Sequence, residues 1–127
     1  MRQLAVRPLL VRQSDSYLPA QLAVVGTNGG VEATRAVVAQ ADLVMFIGAR
    51  AGSTTTEHWQ MPSRKVTIVH LDVDAMTIGT NYRTDVALVG DALLGLQALH
   101  AAVQQRIARR PADAADGAAL AATARAA

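Results

Sequence analysis

The sequence predicts an α/β protein, a doubly wound parallel sheet with helices on both faces. Three observations predict it. Short apolar runs alternate with segments of helical period, each run stops at or beside a glycine or an aspartate, and the aliphatic residues are mostly Ala, Val and Leu, with only Phe46, Trp59, Tyr17 and Tyr82 as aromatics. Nearly continuous aliphatic runs suit strands covered on both faces, and alternating strands and helices are joined by right-handed parallel crossovers. A chain of 127 residues that is 51% apolar can bury one core, so a single unit is expected.

The elements follow in order. Residues 1–20 mix isolated arginines with short apolar pairs, hold no sustained period and form a poorly defined N-terminal segment. "LAVV" (22–25) reads as a short strand, "GTNGG" (26–30) as a loop, and "VEATRAVVAQ" (31–40) as a helix with Ala33, Ala36 and Val37 on one face. "DLVMFIGA" (42–49) reads as an interior parallel strand. In "RAGSTTTEHWQMPSRK" (50–65), Thr54 and Glu57 have capping-box spacing and Pro62 sets the exit, so a turn or two of helix fits. "KVTIVHLDVD" (65–74) and "DVALVGD" (85–91) are further buried strands, separated by a loop through Gly79 and Asn81. From Asp91, Leu96, Leu99, Val103 and Ile107 recur every three or four residues, the stripe of an amphipathic helix that stops before Pro111. The organised domain spans 21–110, and 111–127 is an Ala-rich tail or linker.

Composition narrows the function. The net charge is +2, and the pI near 9.7 reflects eleven arginines and one lysine, Lys65, without a basic patch interleaved with aromatics, so nucleic-acid binding is not expected. The absence of cysteine excludes disulfides, thiolate metal sites and thiol nucleophiles. No apolar run spans a bilayer and the N-terminus does not read as a secretory signal, so no membrane association and a cytoplasmic location are expected.

Ligands of open α/β sheets bind beyond the carboxyl ends of the strands, where helix N-termini and loop amides converge. Gly26, Asn28 and Gly29 bring close-approaching backbone and a polar side chain there, though an ordinary tight turn explains them equally. Gly48 and Arg50 follow the second strand as a plausible anion clamp, against a merely solvated arginine. Alternation places His70, Asp72 and Asp74 on one face. A carboxylate at that strand end can accept hydrogen bonds from ribose hydroxyls, whereas Asp74 equally caps the next turn and His70 reads as a satisfied core histidine. Asp91 starts a helix, so capping is its simplest role. His58, His70 and His100 form no nucleophile–base arrangement and no H-x-x-x-H metal pair, so no catalytic and no metal-binding residues are expected.

The ordered motifs carry a resemblance. "ADLVMFIGAR" (41–50), "HLDVDAMTIGTN" (70–81) and "GDA" (90–92), preceded by "GTNGG", resemble the central domain of thiamine diphosphate-dependent enzymes of the acetolactate synthase and pyruvate oxidase type, which reads ADL-apolar-GAR, HIDID-x-x-x-IG-x-N and GDA in that order. The resemblance covers about Leu22 to Leu99. It implies an α/β domain of nucleotide-binding, Rossmann-like topology, incomplete over this length, that in some members holds FAD or ADP and in others is empty and structural. By resemblance Gly26, Asn28, Gly29, Gly48 and Arg50 face a pyrophosphate and its surroundings, Asp72 the adenosine end and Asp91 the adenine. After GAR this chain reads "AGSTTTEHW", where flavin-containing synthases have Phe-Asp-Asp-Arg.

The family binds thiamine diphosphate and Mg²⁺ between an N-terminal and a C-terminal domain. Neither motif set is present in this sequence, so the resemblance implies a fragment without catalysis of its own, partnered by the missing thiamine-binding domains or by copies of itself. Two alternatives stand beside it. One is a small NAD-dependent oxidoreductase, suggested by the 20-residue interval from Gly52 to Asp72. The other is a ligand-free oligomerisation module.

Overall fold

A computed structural model describes residues 8–10, 25–27 and 32–107. Its elements are β1 (Pro8–Leu10), α1 (Glu32–Ala39), β2 (Leu43–Ile47), β3 (Thr67–Asp72), β4 (Val86–Val89) and α2 (Ala92–Ile107). The four strands form one parallel sheet in the order β1-β2-β3-β4. This is the α/β architecture expected, an incomplete parallel sheet of the Rossmann-like kind. Three of its strands and both helices fall where periodicity placed them, but β4, expected as a buried strand, is an exposed edge strand with Val86 and Val89 47% and 62% exposed. β1 is the exception: three residues are too few to show a period, so it is invisible in the sequence. Of the strand expected at 22–25, Val25 lies outside any strand and the other three residues lie outside the described ones.

β2 sits between β1 and β3, the interior place its apolar run predicts, and its side chains alternate between a closed face and a half-covered one. The register Val44↔Ile68 and Phe46↔His70 puts those four side chains on the same face, and all are buried together with Ala51 and Tyr82. Fully burying an aliphatic side chain such as Ile68 contributes roughly 1.5–3 kcal/mol. α1 covers this face, its Thr34 and Val38 lining a small apolar cavity of about 30 Å³ with Val44 and Phe46. Its buried residues are Thr34, Val37 and Val38. The buried face is thus rotated about one residue from the expected Ala33, Ala36 and Val37, because the wider aliphatic side chains of Val37 and Val38 bury more apolar area than alanine.

α2 lies on the opposite face. A Cβ added to Gly95 would stand 2.9 Å from Leu71 Cδ1, so the helix backbone rests directly on the buried Leu71 side chain. Helices therefore cover both faces. The coverage is unequal: Leu43, Met45, Ile47 and Val69, on the α2 side, are only half-buried. The stripe expected on α2 is incompletely covered as well, with Leu96 and Leu99 half-buried and Val103 43% exposed. No helix among the described residues is long and apolar enough to cross a membrane.

Residues 53–60 are hydrogen-bonded turns, in place of the short helix expected. One helical-type bond forms, Thr56 N–H to Gly52 O at 3.1 Å. It is followed by wider turns, His58 N–H to Ser53 O at 2.8 Å and Met61 N–H to Thr56 O at 2.9 Å. The cause is local: Glu57, His58 and Trp59 all have positive φ, between 50° and 62°, which no right-handed helix admits. Each such residue costs about 1–2 kcal/mol. Thr56 offsets part of that: fully buried, its hydroxyl donates to Gly52 O at 2.9 Å and accepts from Trp59 N–H at 3.1 Å. Glu57 turns away from Thr54 to the Arg35 guanidinium of α1, with Nε 2.8 Å from one carboxylate oxygen and 3.0 Å from the other. That pairing, with a second contact to Glu32 at 3.2 Å, raises the Arg35 pKa above its ordinary value, Glu57 contributing most.

Candidate functional site

The carboxyl ends of β2, β3 and β4 lie side by side, and they bring together Gly48, Arg50, Asp72 and Asp91 of the sequence-predicted residues. Gly48 leaves β2 with φ 56°, and its N–H donates to Leu71 O at 2.9 Å. The chain then makes a second left-handed residue, Ala51, buried at φ 48°, leaving Arg50 exposed between them. Asn81, in the loop after β3, donates its amide to Arg50 O at 2.8 Å and ties the two loops together. His70 lies beneath: its Nε2–H donates to Ala49 O at 2.9 Å. It is a satisfied core histidine, packed against Phe46 at 5.7 Å between ring centroids.

The aspartates are engaged in shaping the backbone. Asp72 ends β3 with its residue 9% exposed, its Oδ1 accepting from Asp74 N–H at 2.9 Å and its carbonyl from Gly90 N–H at 2.9 Å. Asp74 caps the following turn, accepting from Met76 N–H at 2.9 Å and the Thr77 hydroxyl at 3.2 Å. Asp91 is the N-cap of α2, Oδ1 accepting from Leu94 N–H at 3.0 Å while its carbonyl receives Gly95 N–H at 2.8 Å. Apart from the Thr77 hydroxyl, the donors in these bonds are main-chain N–H groups that the local turn would otherwise orphan.

Gly26 stands apart from this row. It has φ 98°, and a Cβ there would collide with the Thr54 carbonyl and approach Thr55 Cα at 3.0 Å, while the neighbouring Thr27 N–H donates to Thr54 O at 2.9 Å. Close approach of backbone to backbone is what requires a glycine here. Asn28 and Gly29 lie outside the described residues. Gly52 uses its carbonyl within the turn at Thr56. Among the described residues, no group of three or more His, Asp and Glu side chains is placed to hold a metal ion.

Sequence reasoning did not find the Arg35–Glu57 pair or the role of Tyr82. The first has no signal at short range, because the partners are 22 residues apart and meet only through a left-handed turn. Tyr82 donates its hydroxyl to Met61 O at 3.0 Å and packs on Phe46, with the Arg64 guanidinium 5.4 Å from its ring centre. Burial raises its phenol pKa above the ordinary 10.0, against smaller opposing effects of Thr56 and Arg64. A lone tyrosine after "GTN" carried that signal only as an aromatic at the end of a loop.

Comparison with known proteins agrees with the resemblance read from the motifs. Residues 13–99 match the family described as thiamine pyrophosphate enzyme, central domain. Acetolactate synthase 1, chloroplastic, of Oryza sativa subsp. japonica is 34% identical over 95 residues, 75% of this chain and 15% of that protein. The probable acetolactate synthase large subunit of Methanocaldococcus jannaschii is 34% identical over 85 residues, 67% of this chain and 14% of that protein. The acetolactate synthase isozyme 3 large subunit of Escherichia coli is 28% identical over 92 residues, 72% and 16% respectively. The chain thus spans about 15% of the length of the curated relatives it matches. It belongs to the thiamine pyrophosphate enzyme family, as a central domain of that family.

Proposed function

We propose that the chain is a scaffolding domain of a thiamine diphosphate-dependent enzyme of the acetolactate synthase type, and that it has no catalytic group of its own. Thiamine diphosphate and Mg²⁺ would be held by other domains of such an enzyme, in a cytoplasmic setting. One observation carries the reading: the aspartates and glycine amides at the strand ends are engaged in the backbone. Asp72 and Asp91 each accept a main-chain N–H, and the amides of Gly48 and Gly90 donate to strand carbonyls. A carboxylate that satisfies a turn contributes to the fold at every moment, whether or not a ligand is present.

A second reading has one observation in its favour. Arg50 is exposed directly beyond Gly48, at the place where an adenine nucleotide such as ADP or FAD would present its pyrophosphate. Titration calorimetry of the chain with ADP and FAD separates the two. The scaffold reading expects no binding heat, whereas saturable binding that Arg50→Ala abolishes would replace it with the nucleotide reading. Saturable binding of NAD with turnover of a carbonyl substrate would point instead to an oxidoreductase.

A further inference from the structure

We propose that residues 53–60 form a two-state strap, latched in its left-handed form by Arg35 and free, once Glu57 leaves that arginine, to take the right-handed helical turn its sequence encodes. One carboxylate serves both forms. In the structure it lies on the Arg35 guanidinium of α1, its two oxygens 2.8 Å and 3.0 Å from Nε. In a right-handed turn the same carboxylate, three residues after Thr54, would reach back to the Thr54 N–H as a capping box. The two are exclusive, because the first form holds Glu57 at φ 50° and the second needs a φ of about −60°.

Nothing in the local sequence favours the observed form. From Ser53 to Met61 there is neither glycine nor proline, yet Glu57, His58 and Trp59 stand in succession at φ 50°, 57° and 62°. Left-handed residues of this kind persist only where surrounding contacts over-determine them. Thr56 holds the turn from inside, its hydroxyl donating to Gly52 O at 2.9 Å. That bond is of the kind a helical threonine also makes to the carbonyl four residues back, so the switch keeps it. The ion pair is lost with the left-handed form, and it therefore carries the choice. The Glu57 side chain is 15% exposed, which shelters the pair from solvent.

Release strands no charge. Arg35 keeps Glu32 at 3.2 Å and its side chain is 45% exposed, while Glu57 gains the Thr54 N–H. The strap also closes a space. Thr55, Thr56 and Glu57 line the apolar cavity of about 30 Å³ together with Thr34 and Val38 of α1, so its release uncovers that cavity.

Amide hydrogen exchange in the full 127-residue chain, read residue by residue by NMR, tests the proposal. Trp59 and Met61 donate to the hydroxyl and the carbonyl of Thr56, bonds that a right-handed helix does not make. The released turn is too short a helix to protect these amides. They should exchange faster than the amides of β2 and β3 and with little dependence on urea, the mark of local opening. Glu57→Gln, which removes the charge and keeps the cap, should quicken their exchange roughly tenfold. Adding His58→Gly, which suits φ 57°, should return most of that protection, whereas in a turn without two forms a glycine would only loosen the chain further. If Glu57→Gln does not fold by circular dichroism, His58→Gly alone decides, and it should slow the exchange of Trp59 and Met61 below the wild-type rate. Exchange of these amides only together with the sheet, unchanged exchange in Glu57→Gln, or faster exchange in His58→Gly overturns the proposal.

Discussion

Gly26→Ala separates a packing glycine from a ligand-facing one. The native residue has φ 98°, which an L side chain adopts at a cost of about 1–3 kcal/mol. The new Cβ would also overlap the Thr54 carbonyl, a backbone group that moves only with its turn. Relieving the overlap lengthens the 2.9 Å bond from Thr27 N–H to Thr54 O, worth about 1 kcal/mol net. The two effects together predict a loss of about 2–4 kcal/mol, read as a lower urea midpoint with an unchanged slope, by circular dichroism at fixed chain concentration. A midpoint within error of the wild type would refute the reasoning and return Gly26 to a ligand-facing role.

Other outcomes follow from the same contacts. Leu71→Ala, at a 1% exposed position beneath α2, should cost about 2–5 kcal/mol, and adding Gly95→Ala should recover part of it because the new methyl fills the vacated space. Strict additivity in denaturant melts would show that α2 does not rest on Leu71. Asp91→Ala should lose about 1 kcal/mol of stability and Asp91→Asn only a few tenths, and equal losses would remove the cap from the account. The raised Tyr82 pKa means the unfolded chain loses the phenol proton first, so its contribution is present below pH 10.0 and is lost as pH rises through the higher folded value. Unfolding midpoints measured upward from pH 10 should fall more steeply for the wild type than for Tyr82→Phe, and parallel profiles would contradict the burial of that hydroxyl.

The sheet was legible where runs were long. β2 and β3 announce themselves through "LVMFI" and "TIVHLD", and β4 through "VALV" between two aspartates. β1 and the turn at 53–60 were not legible, for different reasons. Three residues carry no period, and the left-handed run at Glu57–Trp59 contains no glycine to advertise it. Its conformation depends on Thr56 and on Arg35 of another element, which local spacing cannot show. At the strand ends, chain position picked out Asp72 and Asp91 and read Asp91 as a helix cap, which the structure bears out, but only hydrogen-bond geometry could show that Asp72 also satisfies its own backbone. The family resemblance was legible because its motifs are these same strand-to-loop junctions, whose spacing the sheet register fixes.

The central claim is that this domain holds structure for chemistry performed elsewhere, and pyruvate turnover tests it most directly. The full chain, supplied with thiamine diphosphate and Mg²⁺, is predicted to consume pyruvate no faster than the cofactor alone. Turnover above that background, lost in Asp72→Ala while the fold persists, would contradict it.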